Sequence, residues 1–199
     1  MTKKNTQYVW LVVSLGILLT MVHCYHKCHH FEKASPIQSS LISPLKSYIS
    51  IEEARQMLPP HLRNWQVFED YPFSMIEKYP PFYLYSVTIE DYKHLNYTGQ
   101  LGLTFYNNRL VETSFSSANM KSYIEALEKI EDLKITSSYN FSFDKINIKP
   151  YTYVRLISSS PQDDIYHQVT NTGHQDIVTW EDIRLLREKE RWESCYSDD

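Results

Sequence analysis

Between Tyr8 and Val22 the chain reads YVWLVVSLGILLTMV, a run without a single charge, and Lys3 and Lys4 stand just before it. Carried on to Tyr25 it is 18 residues long, inside the roughly 17–25 that a helix needs to span a bilayer. Such a segment has to enter a membrane, be cut away, or be covered, and this choice constrains the architecture more than any other feature. Tyr8 and Trp10 at one end and Tyr25 at the other suit the membrane–water interface.

Three readings compete: an uncleaved anchor, a cleaved signal peptide and a lipoprotein signal. No small-x-small triplet follows the run, which weighs against cleavage. His23 precedes Cys24, where a lipidation signal needs a small residue. The reading adopted is an uncleaved anchor, with residues 1–7 a cytoplasmic leader, 8–25 the span, 26–48 a juxtamembrane linker and 49–199 an extracytoplasmic domain. Lys27, Lys33 and Lys46 nearly balance Lys3, Lys4 and the α-amino group, so orientation rests on the short basic leader. The domain then faces a bacterial periplasm across the inner membrane, or a eukaryotic lumen. In the second case Asn96-Tyr97-Thr98 and Asn140-Phe141-Ser142 are glycosylation sequons.

The next stretch, HCYHKCHH from His23 to His30, holds four of the eight histidines and two of the three cysteines. On a continued helix, at 100° per residue, His23, His26 and His30 share one stripe while Cys24 and Cys28 lie on another face. A mixed tetrahedral site cannot be built from one straight helix, and the usual zinc spacing is absent. Three residues separate the cysteines where a c-type haem attachment needs two. A Cys24–Cys28 disulfide would close too short a loop to stabilise much. His23, His26 and His30 remain the candidate metal ligands, against the plainer reading of polar residues at a membrane edge. No cofactor is expected.

The net charge of −4 is unevenly placed. All acidic residues follow His30, leaving 17 basic and 24 acidic residues from Phe31 onward, a balance of −7. Such a domain has no affinity for phosphate backbones, so nucleic-acid binding is not expected.

Residues 34–48 read ASPIQSSLISPLKSY, a proline- and serine-rich composition that suggests a linker. Ser50-Ile51-Glu52-Glu53 then matches a capping box, opening a short helix that Pro59 and Pro60 end. Alternating apolar residues predict strands at Trp65–Glu69, Tyr83–Glu90, Gln100–Tyr106 and Arg109–Phe115, the last two joined by an Asn107-Asn108 turn. Met120, Tyr123, Ile124, Leu127, Ile130 and Leu133 recur at helical spacing, with Asn119 as a cap. Strands follow near Tyr151–Ser158, Tyr166–Thr170 and Asp176–Glu181, with a turn at Asn171-Thr172-Gly173, and Asp182 caps a C-terminal helix.

The expected fold is α+β: a single N-terminal transmembrane helix, then an antiparallel sheet with two or three helices. Val87-Thr88-Ile89-Glu90-Asp91 and Val178-Thr179-Trp180-Glu181-Asp182 echo one another, so two similar halves are a further expectation.

Chemistry is thinly marked. Neighbours on a strand point to opposite faces, so a Glu-Asp dipeptide such as Glu90-Asp91 or Glu181-Asp182 cannot supply two converging carboxylates. Two separate dipeptides could converge, making Asp91 and Asp182 the candidates for a carboxylate-based hydrolase. No G-x-S-x-G elbow accompanies the histidines, Cys195 lies near the C-terminus, and 4 glycines leave no phosphate-cradling loop. The function expected is therefore non-catalytic, an accessory or assembly subunit binding a membrane or envelope protein complex. Its rivals are a metal- or haem-handling redox protein using His23–His30, and the hydrolase. Tyr83, Tyr92, His94 and Tyr97 are the candidate partner-binding residues, because aromatic groups on sheet loops dominate interface energetics.

Overall fold

The computed structural model describes residues 12–22, 35, 37–70, 82–131, 146–149, 151–158 and 176–196. The chain forms two compact units, one of residues Lys33–Arg187 and one of Met1–Glu32 with Glu188–Asp199.

In the smaller unit, helix α1 covers residues 12–22, and every one of them is exposed. Among the described residues no helix is long and apolar enough to cross a membrane. Of the expected span 8–25, residues 8–11 and 23–25 lie outside the described residues. The 11 that are described form a helix of about 16 Å, half a bilayer core.

The larger unit is built on one seven-stranded antiparallel sheet. Its strands are β1 (Phe68–Asp70), β2 (Leu84–His94), β3 (Tyr97–Tyr106), β4 (Arg109–Ser117), β5 (Ile146–Lys149), β6 (Thr152–Ser158) and β7 (Asp176–Asp182). Their order across the sheet is β1-β2-β3-β4-β7-β6-β5. Helices α2 (Ile51–Met57) and α3 (Met120–Glu131) precede the two groups of strands, and α4 (Ile183–Tyr196) follows the last. The α+β architecture is thus as the sequence predicts.

Local signals account for most of these elements. Ser50 and Glu53 close the capping box at the start of α2: the Ser50 N–H donates to Glu53 Oε2 at 2.7 Å, and the Glu53 N–H to Ser50 Oγ at 3.2 Å. Asn107 and Asn108 have φ of 48° and 60°, the left-handed pair that a two-residue hairpin turn demands and asparagine tolerates. The Asp182 carboxylate accepts the Arg184 N–H at 3.0 Å and so starts α4 as expected. The expected strand Tyr166–Thr170 and the turn at residues 171–173 lie outside the described residues.

Leu101, Leu103 and Phe105 on β3, Val87 and Ile89 on β2, Phe115 on β4, Val154 on β6 and Val178 and Trp180 on β7 make one buried face. Ala54 of α2 and Met120, Tyr123 and Leu127 of α3 pack into the same core. Residues 38–48, inside the stretch whose composition suggests a linker, also belong to it, as does Ile49 just after it. Leu41, Ile42, Leu45 and Ile49 are at most 4 % exposed. Backbone bonds run from the Tyr48 N–H to Leu110 O and from the Leu110 N–H to Ile49 O. Proline and serine shape this segment's turns, but its aliphatic side chains are core.

Two further differences have local causes. β2 runs past Glu90 to His94 through a bulge between Ile89 and Tyr92, with Asp91 at φ 57°. The β2–β3 turn is Leu95-Asn96, both at positive φ. Leucine is a poor residue for that conformation, and Leu95 packs against the core in compensation. The echoing V-T-x-E-D stretches lie on β2 and β7, which are not equivalent about the central β4–β7 pairing.

Candidate functional site

The sheet's second face is polar. β4 alternates Thr113 and Phe115 towards the core with Glu112 and Ser114 away from it, and β7 alternates Val178 and Trp180 with Thr179 and Glu181. β4 and β7 pair antiparallel with Glu112 directly opposite Glu181 and Ser114 opposite Thr179. On β6, Arg155 stands opposite Thr179 and Tyr153 opposite Glu181. Two glutamates and one arginine therefore meet at the centre of this face.

Arg155 organises the cluster. Its Nε donates to Thr179 Oγ1 at 3.2 Å, and its Nη2 makes an ion pair with Glu181 Oε1 and lies 3.8 Å from Glu112 Oε2. Glu181 is 1 % exposed and Glu112 is half-buried. Burial pushes the Glu112 carboxyl up to about 8, the Glu181 carboxyl beside it adds to the shift, and Arg155 opposes it. At neutral pH Glu112 therefore keeps its proton. Glu181 is closed to solvent and paired with Arg155, whereas the Glu112 side chain keeps partial access to solvent.

Asp91 and Asp182, the sequence's carboxylate candidates, do not converge. They sit on β2 and β7, three strands apart across the sheet, and the registers place Asp182 level with the start of β2 while Asp91 lies near its other end. Asp91 is exposed on the bulge. Asp182 is fully buried, and Arg184 holds both its oxygens, Nε to Oδ1 at 3.0 Å and Nη2 to Oδ2 at 2.6 Å. The Arg184 guanidinium also lies 3.9 Å from the Tyr151 ring centroid and 4.9 Å from that of Tyr48, and it donates to Ser35 Oγ and Ile37 O. This is a structural clamp on Ser35 and Ile37.

The aromatic candidates separate into two places. His94 and Tyr97 are register partners beside the β2–β3 turn. The His94 ring lies against Phe115, Tyr123 and Trp180, with centroids 5.8–6.0 Å away, and its Nδ1 is 2.8 Å from the Tyr123 hydroxyl. Burial pushes its pKa down to about 4. Tyr97 Oη donates to Ser122 O at 3.0 Å. Tyr92 is 4 % exposed, and its hydroxyl donates to Ser43 O at 2.5 Å. These three side chains hold α3 and residues 38–49 onto the sheet. Tyr83 lies at the far end of the same hairpin, where it is exposed, stacks on Tyr85 and bonds Asn107 through its backbone.

Comparison with family models, curated proteins and solved structures finds no match.

His23, His26 and His30 lie outside the described residues. Among the described residues no group of three His, Cys, Asp or Glu side chains is placed to hold a metal. The Glu112–Glu181–Arg155 cluster is the feature that sequence reasoning missed. Both glutamates alternate correctly in VETSF and VTWED, but only the pairing of strands more than 60 residues apart brings them face to face.

Proposed function

We propose that this chain is a membrane-anchored accessory subunit whose α+β domain binds other membrane or envelope proteins without catalysing a reaction. The observation that carries the reading is α1. Val12, Leu15, Ile17, Leu18, Leu19 and Met21 are 51–69 % exposed on a helix without a charged residue. A contiguous apolar surface of that kind needs a covering, and a bilayer reached by residues 8–25 supplies one. The basic leader at Lys3 and Lys4 favours a cytoplasmic N-terminus, with the domain in the periplasm. Confinement to the membrane plane raises the effective concentration at a membrane partner.

The test is gentle extraction of the full-length protein from native membranes, followed by mass spectrometry of what co-purifies in stoichiometric amount. A defined membrane complex is the expected result. A protein that emerges alone, or whose function fails when His23, His26 and His30 are replaced together, contradicts the accessory reading and favours metal handling.

A further inference from the structure

We propose that the β4–β7 pairing is a proton-dependent latch between the two groups of strands: Glu112 and Glu181 share one guanidinium and one proton, and loss of that proton loosens the pairing.

Geometry and charge balance carry the argument. The pairing joins β1–β4 to β5–β7, so it is the only direct ladder between the two groups among the described residues. It is registered over four residues, Glu112–Phe115 against Val178–Glu181. The interior ladders β2–β3, β3–β4 and β6–β7 are registered over nine, eight and seven. The Glu112–Glu181 pair closes one end of this short ladder, where a ladder frays first. Beyond it β4 no longer bonds β7, and Leu110 takes Tyr48 and Ile49 as its backbone partners instead.

At that end three ionisable side chains meet with one positive charge between two carboxyls. Among the described residues the groups facing Glu112 are Glu181 on β7, Arg155 and Tyr153 on β6 and Thr104 on β3. Arg155 is the sole cation of that set, and it is closer to Glu181. One guanidinium cannot balance two carboxylates, so a second negative charge on the half-buried Glu112 is costly and its protonated form is favoured. In that state one proton bridges the carboxyls across the two strands. When it leaves, two negative charges face each other directly across the ladder, which is destabilising.

The test uses full-length protein in detergent and amide hydrogen exchange read by mass spectrometry, corrected for the intrinsic pH dependence of exchange. Between pH 6 and 9, protection at residues 112–115 and 178–181 is expected to fall about tenfold or more, while β2–β3 amides hold theirs. Glu112→Gln is expected to abolish the fall. Equal loss in both ladders, no loss in either, or an undiminished fall in Glu112→Gln would overturn the latch. Should that variant fail to fold, carbon-13 titration of the wild-type Glu112 carboxyl decides. A midpoint near 8 supports the proposal, and one near the ordinary 4.5 refutes it.

Discussion

The His94 imidazole and the Tyr123 hydroxyl meet at 2.8 Å beneath α3, joining the end of β2 to the helix that covers it. Ring contacts from Phe115 and Trp180 enclose the pair, so the imidazole is held away from water in its neutral form. Its folded pKa, about 4, lies below the ordinary 6.5. The stability it contributes is therefore present above pH 6.5 and is lost as pH falls towards 4.

His94 should titrate late. A proton NMR titration is expected to place its midpoint near 4, and a midpoint near 6.5 would show that the ring is solvated. Glu112 works in the opposite sense. Its folded pKa, about 8, exceeds 4.5, so its contribution is full below pH 4.5, declines as pH rises, and is gone above about 8. Between pH 4.5 and 6.5 the two slopes oppose each other. The thermal midpoint should then be nearly flat in that interval and fall on both sides. Replacing Glu112 by Gln removes the alkaline fall, and replacing His94 by Phe removes the acidic one.

Arg184→Ala should cost about 3 kcal/mol or more, since it strands the fully buried Asp182 carboxylate. Urea unfolding measures this. Limited proteolysis should also open a new site within residues 33–39, because Ser35 and Ile37 lose their donor. Lysine cannot span Asp182 with two donors and stack between Tyr48 and Tyr151, so Arg184→Lys should restore little. A Lys variant as stable as wild type would show that charge alone suffices.

Two glycines of β3, Gly99 and Gly102, should respond unequally to alanine. A Cβ at Gly99 would collide with the Ser116 carbonyl, which belongs to the paired strand and cannot move aside. At Gly102 the obstacle is the Ser114 hydroxyl, which can rotate away. Gly99→Ala should therefore destabilise clearly more than Gly102→Ala in thermal unfolding. Equal losses would mean that the β3–β4 ladder adjusts its backbone more freely than its register implies.

The features readable from the sequence are those whose causes are local. The Ser50–Glu53 box, the Leu101–Leu103–Phe105 alternation and the Asn107-Asn108 turn each depend on residues within one turn or one hairpin, and each stands as expected. What escaped depends on distant partners. Residues 38–48 have the composition of a linker, and only β4 and the core make them structural. Leu95 occupies a turn position that its own preference opposes, because burial outweighs it. β5, four residues long, carries too few alternating positions to announce itself. The central cluster needed the order of β4, β7 and β6, which no spacing in the chain encodes.

Anchoring of this domain in a bilayer by residues 8–25 is decided by alkaline carbonate extraction of membranes carrying the full-length protein. The wild-type chain is expected to stay with the membrane pellet. A variant with Leu15 and Leu18 both replaced by Arg should move to the soluble fraction, given about 2.5–3.5 kcal/mol per arginine at a helix centre. Release of the wild-type chain by carbonate would contradict the anchor, and with it the proposed function.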